Sequence, residues 1–320
     1  MPTRVSLLRF LFVPLLGGAL TTFAAEENIG GLIGGPKNPG QIAYADAIKR
    51  GIDGKTPVPG IPEPVLLWPN GAPEAKPDAN GVFTDEDKPA LYVFPAPANN
   101  NTGASMLILP GGGFTNRVMD TEGVQIAKFL NKHGIAGFVL RYRLRPNYPG
   151  SVPMMDAHRA MRHIRANAAT YKVSPEKIGV IGFSAGGELQ GDAFYNGVLK
   201  GDPNAADPLD RISTHANFSV LIYGGRNVRD PASAPPTFIF NTVDDGSSPQ
   251  APGPRAAVVS VMNSLRGAGV PVEAHFYQDG PHGTTMSPGD PQLGQWPELM
   301  IKWLKVGGYL ADKKPAATKK

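Results

Sequence analysis

The 320-residue chain contains no cysteine. This absence excludes thiolate catalysis, disulfide bonds, iron–sulfur clusters, cysteine-based zinc sites and a cysteine-anchored lipid. Charged residues are also few, at 18% of the chain, and 41% of the residues are hydrophobic, which is typical of a globular protein with a sizeable core. The 39 glycines and 33 prolines are scattered without a period, which excludes a collagen and favours a loop-rich surface.

A basic stripe within the body of the chain is also missing. The net charge of +4 comes mostly from the two ends, with Arg4 and Arg9 near the start and several lysines in the last eight residues. A nucleic-acid-binding protein needs positive charge clustered on its folded surface. We therefore predict no nucleic-acid partner.

The two ends of the chain differ in composition from the region between them. Residues 1–25 combine two arginines, a short apolar run and small residues, the pattern of a secretory signal peptide, with an amphipathic or buried helix as the competing interpretation. The apolar run is too short to span a bilayer, so we predict no stable membrane insertion. Residues 26–62 form a Gly/Pro-rich extension, residues 63–311 the main domain and residues 312–320 a basic tail that we predict to be disordered.

Within the main domain, short apolar runs alternate with longer segments whose apolar residues recur every three or four positions. The runs predict strands buried on both faces, and the longer segments predict helices. The predicted strands are 105–109, 135–140, 178–181, 218–222, 237–240 and 272–276, and the predicted helices are 118–133, 153–171, 187–200, 255–267 and 296–309. Residues 65–68 and 91–94 predict an antiparallel edge hairpin. This order predicts an α/β fold with a mostly parallel central sheet and helices on both faces.

The motif Gly-Phe-Ser-Ala-Gly at residues 182–186 lies between a predicted strand and a predicted helix. Gly-x-Ser-x-Gly at such a junction is the nucleophile elbow, a turn that holds a serine in strained backbone geometry at the carboxyl edge of the sheet. We therefore predict that Ser184 is a nucleophile.

A serine hydroxyl needs a base within hydrogen-bonding reach and an acid that orients the base. His282 follows the last predicted strand in a Gly/Pro loop, where no packing pattern calls for an imidazole, and we predict that it is the base. The competing interpretation is a solvated loop histidine. The other five histidines have structural interpretations in helices, a strand or a loop: His133, His158, His163, His215 and His275.

Two aspartates, Asp244 and Asp245, follow the predicted strand 237–240 and are candidates for the acid. With either one, the order along the chain is serine, aspartate, histidine, which is the order of the α/β-hydrolase fold. The residues alone do not choose between the two, and we expect the remaining aspartate to stabilise a turn or a helix end.

A glycine-rich loop follows the predicted strand 105–109. An acyl-transfer reaction needs fixed donors for the oxyanion that forms at the acyl carbon, usually backbone N–H groups. We predict that Gly112, Gly113 and Ala185 supply them. The competing interpretation, a phosphate-binding loop, lacks the Lys-Ser/Thr that would follow it.

A resemblance extends over about residues 65–310 and is carried by the segments LLWPNGAPEAK, LILPGGGF, FVLRYRL, DAHRAMRHIRANAATYKVSPEKIGVIGFSAGG, PPTFIFNTVDDGSSP, GVPVEAHFYQDGPHG and QWPELMIKWL. These segments resemble the bacterial acetyl xylan esterase and feruloyl esterase-like (BD-FAE-like) branch of the α/β-hydrolases. The resemblance implies that residues 63–311 are an α/β-hydrolase catalytic domain with Ser184, Asp244 and His282 as its triad. It also implies a small acylated carbohydrate or ester substrate and no cofactor or metal.

The chain departs from this family at two places. Glu188 stands where many relatives have histidine, and the segment after the acid reads GSSPQAPGP. Both departures concern substrate preference rather than the triad. The resemblance and the leader together predict a secreted or periplasmic serine esterase that removes short acyl groups, acetyl above all, from plant cell-wall carbohydrate such as xylan. The alternatives are a short-chain carboxylesterase or lipase, a feruloyl esterase, and a non-catalytic binding protein with a hydrolase fold.

Overall fold

The computed structural model describes residues 58–243, 256–278, 280 and 282–310. The predicted signal peptide, the basic tail and most of the 26–62 extension lie outside these ranges. Asp244 and Asp245 also lie outside them.

One eight-stranded sheet forms the centre of the fold, in the order β1-β2-β4-β3-β5-β6-β7-β8. The strands are β1 (Pro64–Leu66), β2 (Ala90–Phe94), β3 (Ser105–Leu109), β4 (Ala136–Arg141), β5 (Ile178–Phe183), β6 (Phe218–Ile222), β7 (Thr237–Thr242) and β8 (Val272–Tyr277). The last six pair in parallel, which confirms the predicted sheet. β1 pairs antiparallel with β2, as predicted, and β2 also pairs antiparallel with β4.

Helices cover both faces of the sheet. They are α1 (Gln125–Lys132), α2 (Val152–Ala166), α3 (Ala168–Tyr171), α4 (Ala185–Gln190), α5 (Ala256–Gly267) and α6 (Trp296–Val306). Side chains of α1 and α6 pack on one face of the sheet, and those of α2, α3 and α4 pack on the other face. The consecutive apolar residues of the central strands are therefore buried on both faces, as the sequence pattern requires.

Two helical segments differ from the sequence prediction. The predicted helix 118–133 starts with a π-helical segment, Asp120–Val124, in which the Val124 N–H donates to the Met119 carbonyl. The predicted helix 187–200 starts earlier, at Ala185, and passes into a second π-helical segment that ends at Tyr195. Hydrophobic periodicity does not distinguish a π turn from an α turn, because one extra residue in a turn barely changes the pattern.

Within the described ranges, no helix is both long and apolar enough to cross a membrane. The same ranges contain no cluster of three or more side chains suited to hold a metal ion.

Candidate active site

Ser184 lies at the tight turn between β5 and α4. Its backbone has φ 50° and ψ −118°, a conformation that costs energy for any residue with a side chain. Two hydrogen bonds hold the turn, because the Ser184 N–H donates to the Ile222 carbonyl at 3.0 Å and the Glu188 N–H donates to the Ser184 carbonyl at 3.0 Å. Ser184 therefore directly follows a buried strand, as predicted.

The glycines of the motif are required because of close backbone contacts. A Cβ on Gly186 would lie 2.0 Å from the Leu109 carbonyl oxygen, and one on Gly182 would lie 2.5 Å from the Gly186 carbonyl oxygen. A Cβ on Gly111 would lie 2.9 Å from the Ser184 Cβ, so the glycine-rich loop touches the nucleophile turn. These contacts bring the ends of β3 and β5 together at one point.

The His282 imidazole lies beside the serine hydroxyl. The Ser184 Oγ is 2.7 Å from the His282 Nε2, although the two residues are 98 positions apart in the chain. The imidazole also packs edge to face with the Tyr223 ring, with ring centroids 5.1 Å apart and ring planes at 67°. The two residues predicted as nucleophile and base are therefore within hydrogen-bonding distance.

The predicted acid follows β7, whose carboxyl end lies at the same edge of the sheet. The Thr242 hydroxyl donates to the Gly280 carbonyl at 2.6 Å, and the Val243 N–H donates to the Tyr277 carbonyl at 2.7 Å. The chain therefore leaves β7 next to the loop that carries His282. The assignment of Asp244 as the acid stays a prediction.

Gly112 and Gly113 lie in the loop after β3, with φ 123° and φ 64°. Within the described residues, no acceptor takes up the N–H of either glycine, whereas the Gly111 N–H donates to the Glu122 Oε2 at 2.6 Å. Gly111 is therefore unavailable to an oxyanion. The assignment of Gly112, Gly113 and Ala185 as donors stays a prediction.

Glu122 is a site residue that the sequence interpretation missed. Its carboxylate is buried and accepts from Gly111 through one oxygen and from the Tyr223 hydroxyl, at 2.8 Å, through the other. The Thr285 N–H in turn donates to the Tyr223 hydroxyl at 3.3 Å. This network links the loops that follow β3, β6 and β8.

Burial raises the pKa of Glu122, although the hydrogen bonds from Tyr223 and Gly111 and the positive charge on His282 all act to lower it. The sequence signal for Glu122 was weak, because an acidic residue near a helix start is normally exposed. Tyr223 directly follows the apolar strand β6, so its sequence position predicts a core residue rather than a site residue.

Four of the other five histidines contact a polar group of the fold through the ring Nε2. The His158 Nε2 lies 2.9 Å from the Ala193 carbonyl, and the His163 Nε2 lies 3.0 Å from the Tyr171 hydroxyl. His133 ends α1 and lies 3.3 Å from Glu298, and His275 lies 2.9 Å from Glu273 within β8.

The sheet order and the serine turn define the class of protein. A mostly parallel sheet with a serine held in a strained strand-to-helix turn, next to a histidine from the loop after the last strand, is the arrangement of the α/β-hydrolases. The fold class predicted from the sequence is confirmed.

Comparisons with known proteins place the chain within this class. The BD-FAE family model matches residues 91–221. Acetylxylan esterase from Xylanibacter ruminicola is 27% identical over 221 residues, which cover 63% of this chain and 45% of that protein. Endo-1,4-beta-xylanase B from Butyrivibrio fibrisolvens is 28% identical over 220 residues, which cover 57% of this chain and 32% of that protein.

Among solved structures, the acetyl ester-xyloside bifunctional hydrolase from Caldicellulosiruptor lactoaceticus superimposes with a TM-score of 0.68 at 28% identity. The match covers 79% of this chain and 99% of that one. The chain spans less than half the length of the two curated relatives it matches. Residues 91–221 therefore resemble the BD-FAE family, and the fold of the described residues is that of the α/β-hydrolases.

Proposed function

We propose that this protein is a serine esterase that removes short acyl groups, acetyl first among them, from plant cell-wall carbohydrate such as xylan. The single observation that carries the chemistry is the 2.7 Å contact between the Ser184 Oγ and the His282 Nε2 at a strained turn. The substrate class is supported by the similarity to an acetylxylan esterase and to an acetyl ester-xyloside hydrolase.

In the proposed mechanism, the Ser184 Oγ attacks the acyl carbon while the His282 Nε2 takes the hydroxyl proton. The carbonyl oxygen becomes an oxyanion, which accepts hydrogen bonds from the N–H groups of Gly112, Gly113 and Ala185. The C–O bond to the sugar then breaks, and the imidazolium gives its proton to the leaving alkoxide.

Hydrolysis of the acyl-enzyme repeats these steps with water. His282 takes a proton from the water as it attacks, and then returns a proton to the Ser184 Oγ as the carboxylic acid leaves. Asp244 orients the imidazole in this proposal. Its replacement by asparagine should therefore slow both steps together.

The test compares acetate release from acetylated xylo-oligosaccharide with hydrolysis of 4-nitrophenyl acetate and butyrate. Ser184→Ala should lower turnover of every ester by roughly a factor of 10³ or more, with the melting temperature nearly unchanged. Ser264→Ala is the matched control, because it removes a hydroxyl from α5 near the end of that helix.

The outcomes separate the candidate functions. Acetate release that depends on Ser184 would support the carbohydrate acetylesterase. Turnover of the nitrophenyl esters alone would support the serine mechanism but refute the carbohydrate substrate. The protein would then be a short-chain carboxylesterase. Full turnover by Ser184→Ala would refute the mechanism.

We also propose that the protein is exported to the periplasm or the medium, on the basis of the leader-like residues 1–25. Amino-terminal sequencing of the mature protein tests this proposal. A start at residue 25 or 26 is expected, and an intact Met1 in the mature protein would refute it.

A further inference from the structure

A cavity of about 330 Å³ is lined by residues that follow β3, β4, β5 and β6 in the chain. Its walls include Phe114, which directly follows the predicted oxyanion donor Gly113, and Leu189 of α4. Arg226 also lines the cavity, and the chain reaches it through Gly224, where a Cβ would lie 2.3 Å from the Ser184 carbonyl oxygen. The cavity is therefore built in part from the same three strand ends that position the serine.

Three arginines face this cavity, from two different loops. Arg145 follows β4, and Arg226 and Arg229 follow β6. Their charges all act to lower the pKa of Asp192, which also lines the cavity, while burial has the larger effect and raises it. All three arginine charges therefore lie close enough to Asp192 to affect the pKa of its carboxyl group.

Only one of these three arginines has a carboxylate partner within the described residues. The Arg226 Nη2 lies 3.1 Å from the Glu188 Oε2, and its Nε lies 3.3 Å from the Asp192 Oδ2. Across the part of the chain that the structure describes, no carboxylate lies within 4.0 Å of Arg145 or Arg229. The cavity therefore holds two positive charges that are not neutralised by close ion pairs.

Arg145 and Arg229 are held next to the cavity by their surroundings. The guanidinium of Arg145 lies 4.9 Å from the centroid of the Phe114 ring, and the Arg145 N–H donates to the Phe114 carbonyl at 2.8 Å. The Arg229 N–H donates to the Asn196 Oδ1 at 2.6 Å, which fixes its backbone against the π-helical segment after α4. A guanidinium offers five N–H donors and no acceptor, so this wall is rich in donors.

A subsite for neutral sugar hydroxyls would need acceptors as well as donors. Here the arginine donors outnumber the acceptors, because the Asn196 Oδ1 already accepts from the Arg229 N–H and the charge of Asp192 is balanced by Arg226, 3.3 Å away. Free donors with unbalanced positive charge favour a carboxylate, which a guanidinium binds through two parallel hydrogen bonds.

We propose that this cavity is a subsite for a sugar unit with a free carboxylate, a uronate, and that Arg145 and Arg229 bind that carboxylate. This inference rests on the proposed function, because it takes the substrate to be a carbohydrate. It adds a preference for acidic over neutral oligosaccharides. Arg226 differs from these two arginines because its charge is balanced by Glu188 and Asp192.

The test measures binding by isothermal titration calorimetry with the full chain, so that it does not depend on turnover. The probes are a deacetylated xylo-oligosaccharide with one glucuronic acid branch and the same oligosaccharide with that carboxyl group reduced to an alcohol. The acidic probe should bind roughly fivefold or more tightly than the reduced one, and about 0.5 M salt should shrink the ratio.

Arg145→Gln and Arg229→Gln should each reduce the ratio of the two dissociation constants. Arg266→Gln is the matched control, because Arg266 is exposed in the last turn of α5, at the opposite edge of the sheet, and should leave the ratio unchanged. Equal binding of the two probes, no measurable binding of either, or an unchanged ratio in both cavity variants would overturn the proposal.

Acetate release, measured in parallel, keeps the two proposals apart. A binding preference without acetate release would overturn the proposed function and support the acidic-sugar subsite. Acetate release with equal binding of the two probes would support the proposed function and overturn the acidic-sugar subsite.

Discussion

Replacing Glu122 by glutamine tests whether the buried carboxylate positions the oxyanion loop. Glutamine has nearly the same volume, and its carbonyl can still accept from the Gly111 N–H. The Tyr223 hydroxyl, 2.8 Å from the wild-type carboxylate, then meets an amide NH₂ group instead of an acceptor. The change therefore removes a charge and reverses one hydrogen bond without opening a cavity.

The expected loss is modest for glutamine and larger for alanine. A hydrogen bond to a charged group is worth about 1 kcal/mol more than a neutral one, which corresponds to a loss in kcat of about fivefold to tenfold. Glu122→Ala leaves two buried donors without an acceptor, at about 1 to 3 kcal/mol each, and should lower kcat by a hundredfold or more, as about 2.7 kcal/mol would. KM should change less than kcat in both variants.

The pH profile separates a positioning role from simple packing. Burial raises the pKa of Glu122, and glutamine in its place carries no charge at any pH. The ratio of wild-type to Glu122→Gln kcat should therefore grow as the pH rises through the raised pKa, because only the ionised carboxylate accepts the stronger hydrogen bonds. A packing role alone would give a ratio that does not change with pH.

Stability should change in the opposite direction to activity. Burial raises the pKa of Glu122 above its usual 4.5, so the folded protein favours the neutral acid. The free energy of unfolding of wild type therefore decreases as the pH rises from 4.5 through the raised pKa. The Glu122→Gln variant lacks this decrease because glutamine does not titrate. The melting temperature of Glu122→Gln relative to wild type should increase between pH 4.5 and about pH 8.

Two results would refute this reasoning about Glu122. One is a glutamine variant with wild-type kcat across the pH range. The other is the same pH-dependent loss of kcat in Glu176→Gln, an exposed carboxylate ahead of β5 that serves as the matched control.

Three further predictions concern the framework of the site. Gly186→Ala should prevent folding, as seen by circular dichroism, because its Cβ would lie 2.0 Å from the Leu109 carbonyl oxygen, and a folded, active variant would contradict the contact. Tyr223→Phe should lower kcat roughly tenfold or more while the ring packing on the imidazole remains, since it removes a hydrogen bond to the Glu122 carboxylate worth about 1.5 kcal/mol or more; an unchanged kcat would argue against the network. Trp296→Ala should lower the free energy of unfolding by about 3 to 5 kcal/mol in urea titrations, since a fully buried indole is lost, and a loss below about 1 kcal/mol would contradict its place in the core.

The layout of the sheet was predictable because it depends on local pattern. Strands buried on both faces need consecutive apolar residues, and helices need a period of three to four, so the alternation in the chain specified a mostly parallel sheet. The elbow glycines were predictable for a similar reason, since their role depends on contacts within five residues of the serine and against the neighbouring strand.

The α/β class, the position of Ser184 after a buried strand and the expected partner His282 could all be predicted from the residues alone. The 2.7 Å contact between these two side chains, and the link that Glu122 makes between Gly111 and Tyr223, are visible only in the folded chain. These contacts could not be predicted because they join residues that are far apart in the chain. The hydrogen bond between Tyr223 and Glu122 joins residues 101 positions apart, and it exists only because the ends of separate strands meet at one edge of the sheet.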